Sequence, residues 1–290
     1  LLKLSQIRFR ASGDTASLFS DFLLGLGSLG VAEDVKPDGM YELSAYFPME
    51  TDLASVMESL RDYSDFVGDG AGGAGIGPVE VEHIDRSSWE VWKTVLTKVR
   101  AGEKVVIVPP WEEHAPSDGE VVIEINPSLA FGTGHHETTR LCIAFIEDMV
   151  ETGNVKSMLD VGCGSAILSI AGYKLGIGNV TGFDTDPVAI SESRKNARRN
   201  DVLGKIKFFC GCIQSARGVY DLIVANVYLE PIYHMREEFK ARLAPGGALV
   251  VSGIPVMRRD EAVDYLVKAG FRLDKEMREG DWAALAFRLD

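Results

Sequence analysis

The sequence predicts an α/β fold: a doubly wound, mostly parallel sheet preceded by a smaller α+β domain of the ferredoxin-like type. Three observations predict it. From Ser157 onward, short apolar runs alternate with segments of helical period, as they do where helices bury both faces of a sheet. Over residues 1–85 the order is instead strand, helix, strand, strand, helix, strand, the split βαβ pattern. A length of 290 residues suits two domains better than one.

The elements follow in order. "SQIRFRA" alternates apolar and polar residues as a half-buried strand does, and "DTASLFSDFLLGLGSLG" carries apolar residues at helical spacing behind an Asp. "GVAEDVK" and "YELSAYFP" read as strands, "TDLASVMESLRDYSDF" as a helix behind a Thr or Asp cap, and "PVEVEHI" as the closing strand. The intervening "GDGAGGAGIG" contains G-x-G-x-x-G. It follows a polar helix and leads into a strand, the reverse of a dinucleotide site, and so reads as a loop.

A linker helix is expected over 86–104, with Trp89 and Trp92 docking the two domains, and the larger domain over 105–290. There "SMLDVG", "NVTGFD", "KIKFF", "YDLIVAN" and "GALVVSG" supply strands, "AILSIAGYKLG" and "DPVAISESRKNARRN" helices, the second with Asp186 as N-cap and Pro187 at its first position. The tail "FRLDKEMREGDWAALAFRLD" reads as a hairpin, which makes one edge strand antiparallel.

Composition narrows the function. Thirty Lys and Arg against 43 Asp and Glu give a formal net charge of −13, which opposes nucleic acid and favours a basic partner. The basic cluster "SRKNARRN" has helical spacing and reads as a solvated face. No apolar run reaches the roughly 20 residues that span a bilayer, and the first residues turn polar too early for a signal peptide, so the expected address is the cytoplasm. The four cysteines lack C-x-x-C spacing and read as reduced packing residues. His135 and His136, beside Glu137, have no H-E-x-x-H or Cys/His cluster to complete a tetrahedron, so no metal is expected.

Chemistry concentrates at strand ends. "LDVGCGSA" carries Asp160, Gly162 and Gly164 where a strand opens into a helix, so the backbone can approach a ligand and the helix start can face an anion. Ile167 stands where a dinucleotide loop has its third glycine. Asp184 closes the next strand, where a carboxylate can accept hydrogen bonds from a ribose diol. A nucleoside bearing an anionic group satisfies both, and S-adenosylmethionine is one. Asn226 ends "YDLIVAN", and either aims its amide oxygen at an incoming amine or caps the helix beginning near Tyr228; the two roles can coexist.

"NPSLAFGTGHHETTRLC", "LDVGCGSAILSIAGYKLG", "GFDTDPVAISESRKNARRN" and "DLIVANVYLEPI" resemble the seven-stranded S-adenosylmethionine-dependent methyltransferases, and more narrowly the family that methylates ribosomal protein L-eleven. The likeness spans about 110–255, and its F-G-T-G-x-H loop is the specific part. The resemblance implies a seven-stranded sheet, S-adenosylmethionine as cofactor, and cofactor contacts at Thr139, Gly162, Asp184 and Asn226. It makes Phe131, Gly132, Thr133, Gly134, His135 and His136 a lid over the methionine end. His136 then either lines the substrate mouth or is a surface histidine. Trp282 either walls the amine pocket or packs at the sheet edge.

The implied reaction is methylation of lysine or N-terminal amines of a basic ribosomal protein, with residues 1–85 gripping the substrate; the sequence leaves the oligomeric state open, with a monomer slightly favoured. Rival readings are a protein-lysine methyltransferase with another target, such as an electron-transfer flavoprotein subunit, a cofactor-binding module without catalysis, and an RNA methyltransferase, which the charge disfavours. The sequence departs from the family at Ala166, in place of a glycine, and in "FFCGCIQS", which lacks an acidic residue for adenine.

Overall fold

The computed structural model describes residues 4–28, 30–36, 38–70, 76–84, 97–126, 134, 136–153 and 155–289. The chain divides into two compact units, Leu1–Val95 and Leu96–Asp290. Residues 71–75 of the glycine-rich run, Trp89, Trp92 and the linker helix as far as residue 96 lie outside the described residues.

In the first unit β1 (Leu4–Ala11), α1 (Gly13–Gly25), β2 (Gly30–Val35), β3 (Tyr41–Pro48), α2 (Leu53–Gly70) and β4 (Glu80–Ile84) follow the expected order. The sheet runs β2-β3-β1-β4 with every neighbouring pair antiparallel. Alternate residues Ile7, Phe9 and Ala11 of β1 meet Leu43, Ala45 and Phe47 of β3, Phe19 and Leu23 of α1, and Leu60 of α2 in one core. Asp52 starts α2 by accepting the Ala54 N–H at 3.1 Å.

The second unit opens with β5 (Val99–Ala101), β6 (Val105–Val108) and β7 (Val121–Glu124), a three-stranded sheet of its own. The strand at Val99–Ala101 corrects the linker helix expected through residue 104: a β-branched residue leads into a tight turn at Gly102, φ +89°. After α3 (Glu137–Thr152) come β8 (Ser157–Val161), α4 (Ile167–Lys174), β9 (Asn179–Asp184), α5 (Pro187–Arg199), β10 (Lys207–Cys210), β11 (Tyr220–Asn226), α6 (Leu229–His234), α7 (Arg236–Arg242), β12 (Leu243–Pro255), α8 (Arg259–Lys268), β13 (Phe271–Glu279) and β14 (Trp282–Leu289).

These strands build a seven-stranded sheet ordered β10-β9-β8-β11-β12-β14-β13. Leu222 and Val224 of β11 bury into one core with α3 and α4, while Ile223 and Ala225 bury into a second core with α6 to α8. Both faces are therefore covered, as continuous apolar strands require. The order steps one way from β8 through β9 to β10 and the other way to β11, which opens a crevice at the carboxyl ends of β8 and β11.

The hairpin is present, but the antiparallel strand is not at the edge. β14 pairs with β12 on one side and β13 on the other, antiparallel to both. Composition decides this: "WAALAFRL" is buried through its middle, whereas "FRLDKEMRE" keeps its charges in water and takes the edge. Among the described residues no helix is long and apolar enough to cross a membrane.

One buried carboxylate fixes α3 to the first sheet. Glu147, 5% exposed, accepts the backbone N–H groups of Glu103 at 2.6 Å and of Lys104 and Val105 at 2.9 Å. Glu147→Ala leaves three donors without an acceptor and is expected to lower stability by about 3 kcal/mol, read as a shift in the denaturant midpoint. An unchanged midpoint would contradict this role.

Candidate functional site

Where β8 ends, the chain turns sharply through three residues in the left-handed region, Gly162 (φ +68°), Gly164 (φ +50°) and Ala166 (φ +67°). A Cβ at Gly162 would stand 2.7 Å from Val227 Cγ1, so glycine is required there for space as well as conformation. Ala166 adopts the same region at a cost of about 1 kcal/mol and is wholly buried at the start of α4.

Asp184 holds this loop. Its Oδ2 accepts the Gly164 N–H and its Oδ1 the Asp186 N–H, each at 3.0 Å. An ionised carboxylate offers about four acceptor positions, so about two remain for a ligand. Backbone bonds brace the same point: Cys163 N–H donates to the Phe183 carbonyl and Gly211 N–H to that of Asp184, both at 2.9 Å. Asp186 caps α5 by accepting the Val188 N–H at 2.7 Å, with Pro187 behind it, as expected.

Asp160 has a different place from the one expected. It is 1% exposed, and its Oδ2 accepts the Ser169 N–H at 2.9 Å and the Ser169 hydroxyl at 2.6 Å. It lies beneath the loop and anchors α4, because a carboxylate in the middle of a covered sheet must find donors within the protein. Burial pushes its carboxyl up from 3.8 to about 6; the Ser169 bonds offset part of that and the nearby Asp184 charge adds to it.

Sequence reasoning missed the side supports. Ser193 donates to the Gly164 carbonyl at 2.8 Å and Asn196 to that of Ser165 at 3.0 Å. Both belong to the run whose helical spacing suggests a solvated basic face. Their spacing of three residues, with Arg194, Lys195, Arg198 and Arg199 around them, was the signal that α5 turns one polar edge inward.

The facing wall joins β11 to α3. Asn226 donates through Nδ2 to Thr139 Oγ1 at 3.4 Å, across a separation of 87 residues, and leaves Oδ1 as its remaining acceptor. The capping role does not hold, because the N-cap of α6 is Tyr228 and not Asn226.

His136 caps α3. Its Nδ1 accepts the Thr138 N–H at 3.3 Å and meets Thr138 Oγ1 at 2.8 Å, so the proton of the neutral ring is on Nε2. Its ring meets Trp282 edge to face, centroids 4.9 Å apart. Arg140, one turn on, donates to Glu279 Oε1 at 2.9 Å from Nε and stands 2.7 Å from it at Nη2. The C-terminal hairpin thus grips the helix start that presents Thr139. Gly134, φ +84°, lies so close to Ile107 that a Cβ would overlap its side chain. Phe131, Gly132, Thr133 and His135 lie outside the described residues. Among the described residues no three His, Cys, Asp or Glu side chains gather as a metal site.

Comparison with known proteins adds relatives along the whole chain. A profile of the family "Ribosomal protein L11 methyltransferase (PrmA)" matches residues 4–290. The ribosomal protein L11 methyltransferase of Geobacter metallireducens is 34% identical over 283 residues, 93% of each chain. That of Geobacter sulfurreducens is 36% identical over 286 residues, again 93% of each. Among solved structures, the ribosomal protein L11 methylase of Lactobacillus delbrueckii subsp. bulgaricus is similar with a TM-score of 0.62 and 29% identity, covering 67% of this chain and 98% of that one.

The buried Asp160 carries a pH signature. Because its folded value is about 6 against 3.8, the native state keeps a proton between those values that the unfolded state has lost. Stability therefore falls as pH rises from about 4 to about 6, by about 3 kcal/mol from this group. Asp160→Asn keeps an acceptor for Ser169 and removes the titration. The difference in unfolding free energy between wild type and variant should shift across that window, and a constant difference would contradict the assignment.

Proposed function

The chain belongs to the ribosomal protein L11 methyltransferase family, and from that premise we propose that it transfers methyl groups from S-adenosylmethionine to lysine or N-terminal amino groups of ribosomal protein L11. The observation that carries this reading is the convergence of two polar walls, Asp184 with the glycine loop and Asn226 with Thr139, at the carboxyl ends of β8 and β11, where the strand order reverses. The residues fit the cofactor. Its ribose has two hydroxyls to donate and Asp184 has acceptor positions left for them, while the bare backbone at Gly162 admits a close neighbour that a Cβ would exclude. Gly164, Thr139 and the residues from Phe131 to Gly134 complete the proposed contact set.

Bound there, the cofactor supplies a methyl group on a sulfonium, an electrophile that needs no metal or covalent intermediate. The protein's share is to position the amine. A lysine amine has an ordinary pKa near 10.4, so it has to shed a proton before it attacks. Asn226 Oδ1 accepts an N–H of the neutral amine and points its lone pair along the line of transfer, and the Thr139 contact keeps the amide from turning. His136 acts in this reading by fixing the start of α3, not by proton transfer, since its Nδ1 is occupied as the cap.

The net charge of −13 suits capture of a basic protein free in solution. We assign substrate recognition to residues 1–85, transfer to 105–290, and the site of action to the cytoplasm.

Asn226→Ala is expected to slow transfer about 10²-fold while weakening cofactor binding less. Asp184→Asn should do the opposite first, weakening cofactor affinity about tenfold or more. Labelled S-adenosylmethionine with purified L11, and calorimetry with the cofactor alone, separate the two effects. In a whole lysate the label should enter the L11 band. A dominant band of another mass would overturn the substrate, and unaltered turnover in Asn226→Ala would remove that residue from the mechanism.

A further inference from the structure

The edge of α5 opposite Ser193 and Asn196 carries Arg194, Lys195 and Arg198. With Pro187, Ile190 and Cys210 they line an open groove of about 430 Å³ beside the end of β10. In a chain of net charge −13 this is a local reversal of sign. Lys195 is held by Glu192 Oε1 at 2.6 Å, whereas among the described residues Arg194 donates to the Phe208 carbonyl at 3.3 Å, a neutral acceptor. Arg198 has no carboxylate within ion-pairing distance among the described residues.

The groove also holds a thiol. Cys210 and Cys212 are exposed, whereas Cys142 and Cys163 are buried. Cys210 Sγ donates to the Thr185 carbonyl at 3.5 Å, which keeps the sulfur beside the turn that leads into α5. Cys210 is paired in register with Asp184, so the two side chains leave neighbouring strands on the same face of the sheet. An adduct on Cys210 would therefore share a face of the sheet with the carboxylate that ties the glycine loop.

We propose that this groove is a modification site, at which Cys210 exchanges with a small carboxylate-bearing disulfide held by Arg194 and Arg198, and that the adduct obstructs the rim at Asp184. The Cys210 thiolate attacks one sulfur of the reagent. A new S–S bond forms, the reagent's own S–S bond breaks, and its other half departs as a thiolate that takes up the proton Cys210 lost. The cationic neighbours gather the anionic reagent at the groove, and the buried cysteines are shielded from it. A reducing thiol reverses the step. The obstruction rests on the reading of Asp184 as a cofactor contact; the exchange itself does not.

The test compares oxidised glutathione with the uncharged disulfide of 2-mercaptoethanol on the full chain, with adducts read by intact mass and peptide mapping. The anionic reagent is expected to modify Cys210 about tenfold faster than the uncharged one. Arg194→Gln with Arg198→Gln should abolish that preference, and Cys212→Ser should retain it. Equal rates for the two reagents, an adduct mapped to Cys212, or a preference that survives loss of both arginines would overturn the site. Calorimetry on the purified adduct should show S-adenosylmethionine affinity at least about tenfold weaker, restored by dithiothreitol. Undiminished affinity in the adduct would overturn the obstruction, whereas failure of the unmodified protein to bind would count against the proposed function and leave the exchange result standing.

Discussion

Two hydrogen bonds to one carboxylate organise the rim at the carboxyl ends of the larger sheet's strands. Asp184 takes the Gly164 N–H on one oxygen and the Asp186 N–H on the other, and so ties the loop after β8 to the turn before α5. The loop needs such a tie because it passes through three left-handed residues, one of them an alanine that gains nothing from that conformation by itself. Support comes from beneath through Asp160 and Ser169 and from the side through Ser193 and Asn196. Each of these carbonyls and carboxylates thus has a partner within the protein.

The opposing wall depends on where α3 begins. His136 caps the helix, Trp282 lies against the His136 ring and Arg140 reaches Glu279, so the C-terminal hairpin fixes a helix start more than a hundred residues earlier in the chain. Glu147 holds the same helix to the turn between β5 and β6. Thr139 and Asn226 can then meet reproducibly. For a reaction that consists mainly of alignment, such placement is what the proposed mechanism asks of the protein.

Much of this was legible in the sequence. Apolar runs bounded by glycine located the strands, since strands covered on both faces have no polar alternation to hide them. Asp186 with Pro187 announced α5 because both residues act locally. Less legible was whatever depends on distant partners. Asp160 has the same one-letter appearance whether it faces a ligand or a buried serine, and only the covering layer of α4 decides. The Thr139 contact of Asn226 and the Trp282 contact of His136 join segments whose adjacency follows from strand order, which no local pattern encodes. The interior position of β14 was readable in principle, because its neighbour carries the charges an edge strand tolerates.

The proposed function turns on one element of this rim, a ribose held by Asp184. A crystal structure of the protein with S-adenosylhomocysteine tests this most directly. Both ribose hydroxyls should lie about 2.5–3.0 Å from the Asp184 oxygens, with the amino-acid end toward Thr139 and the glycine loop. A nucleoside bound elsewhere on the chain, or a rim without ligand density at saturating concentration, would contradict it.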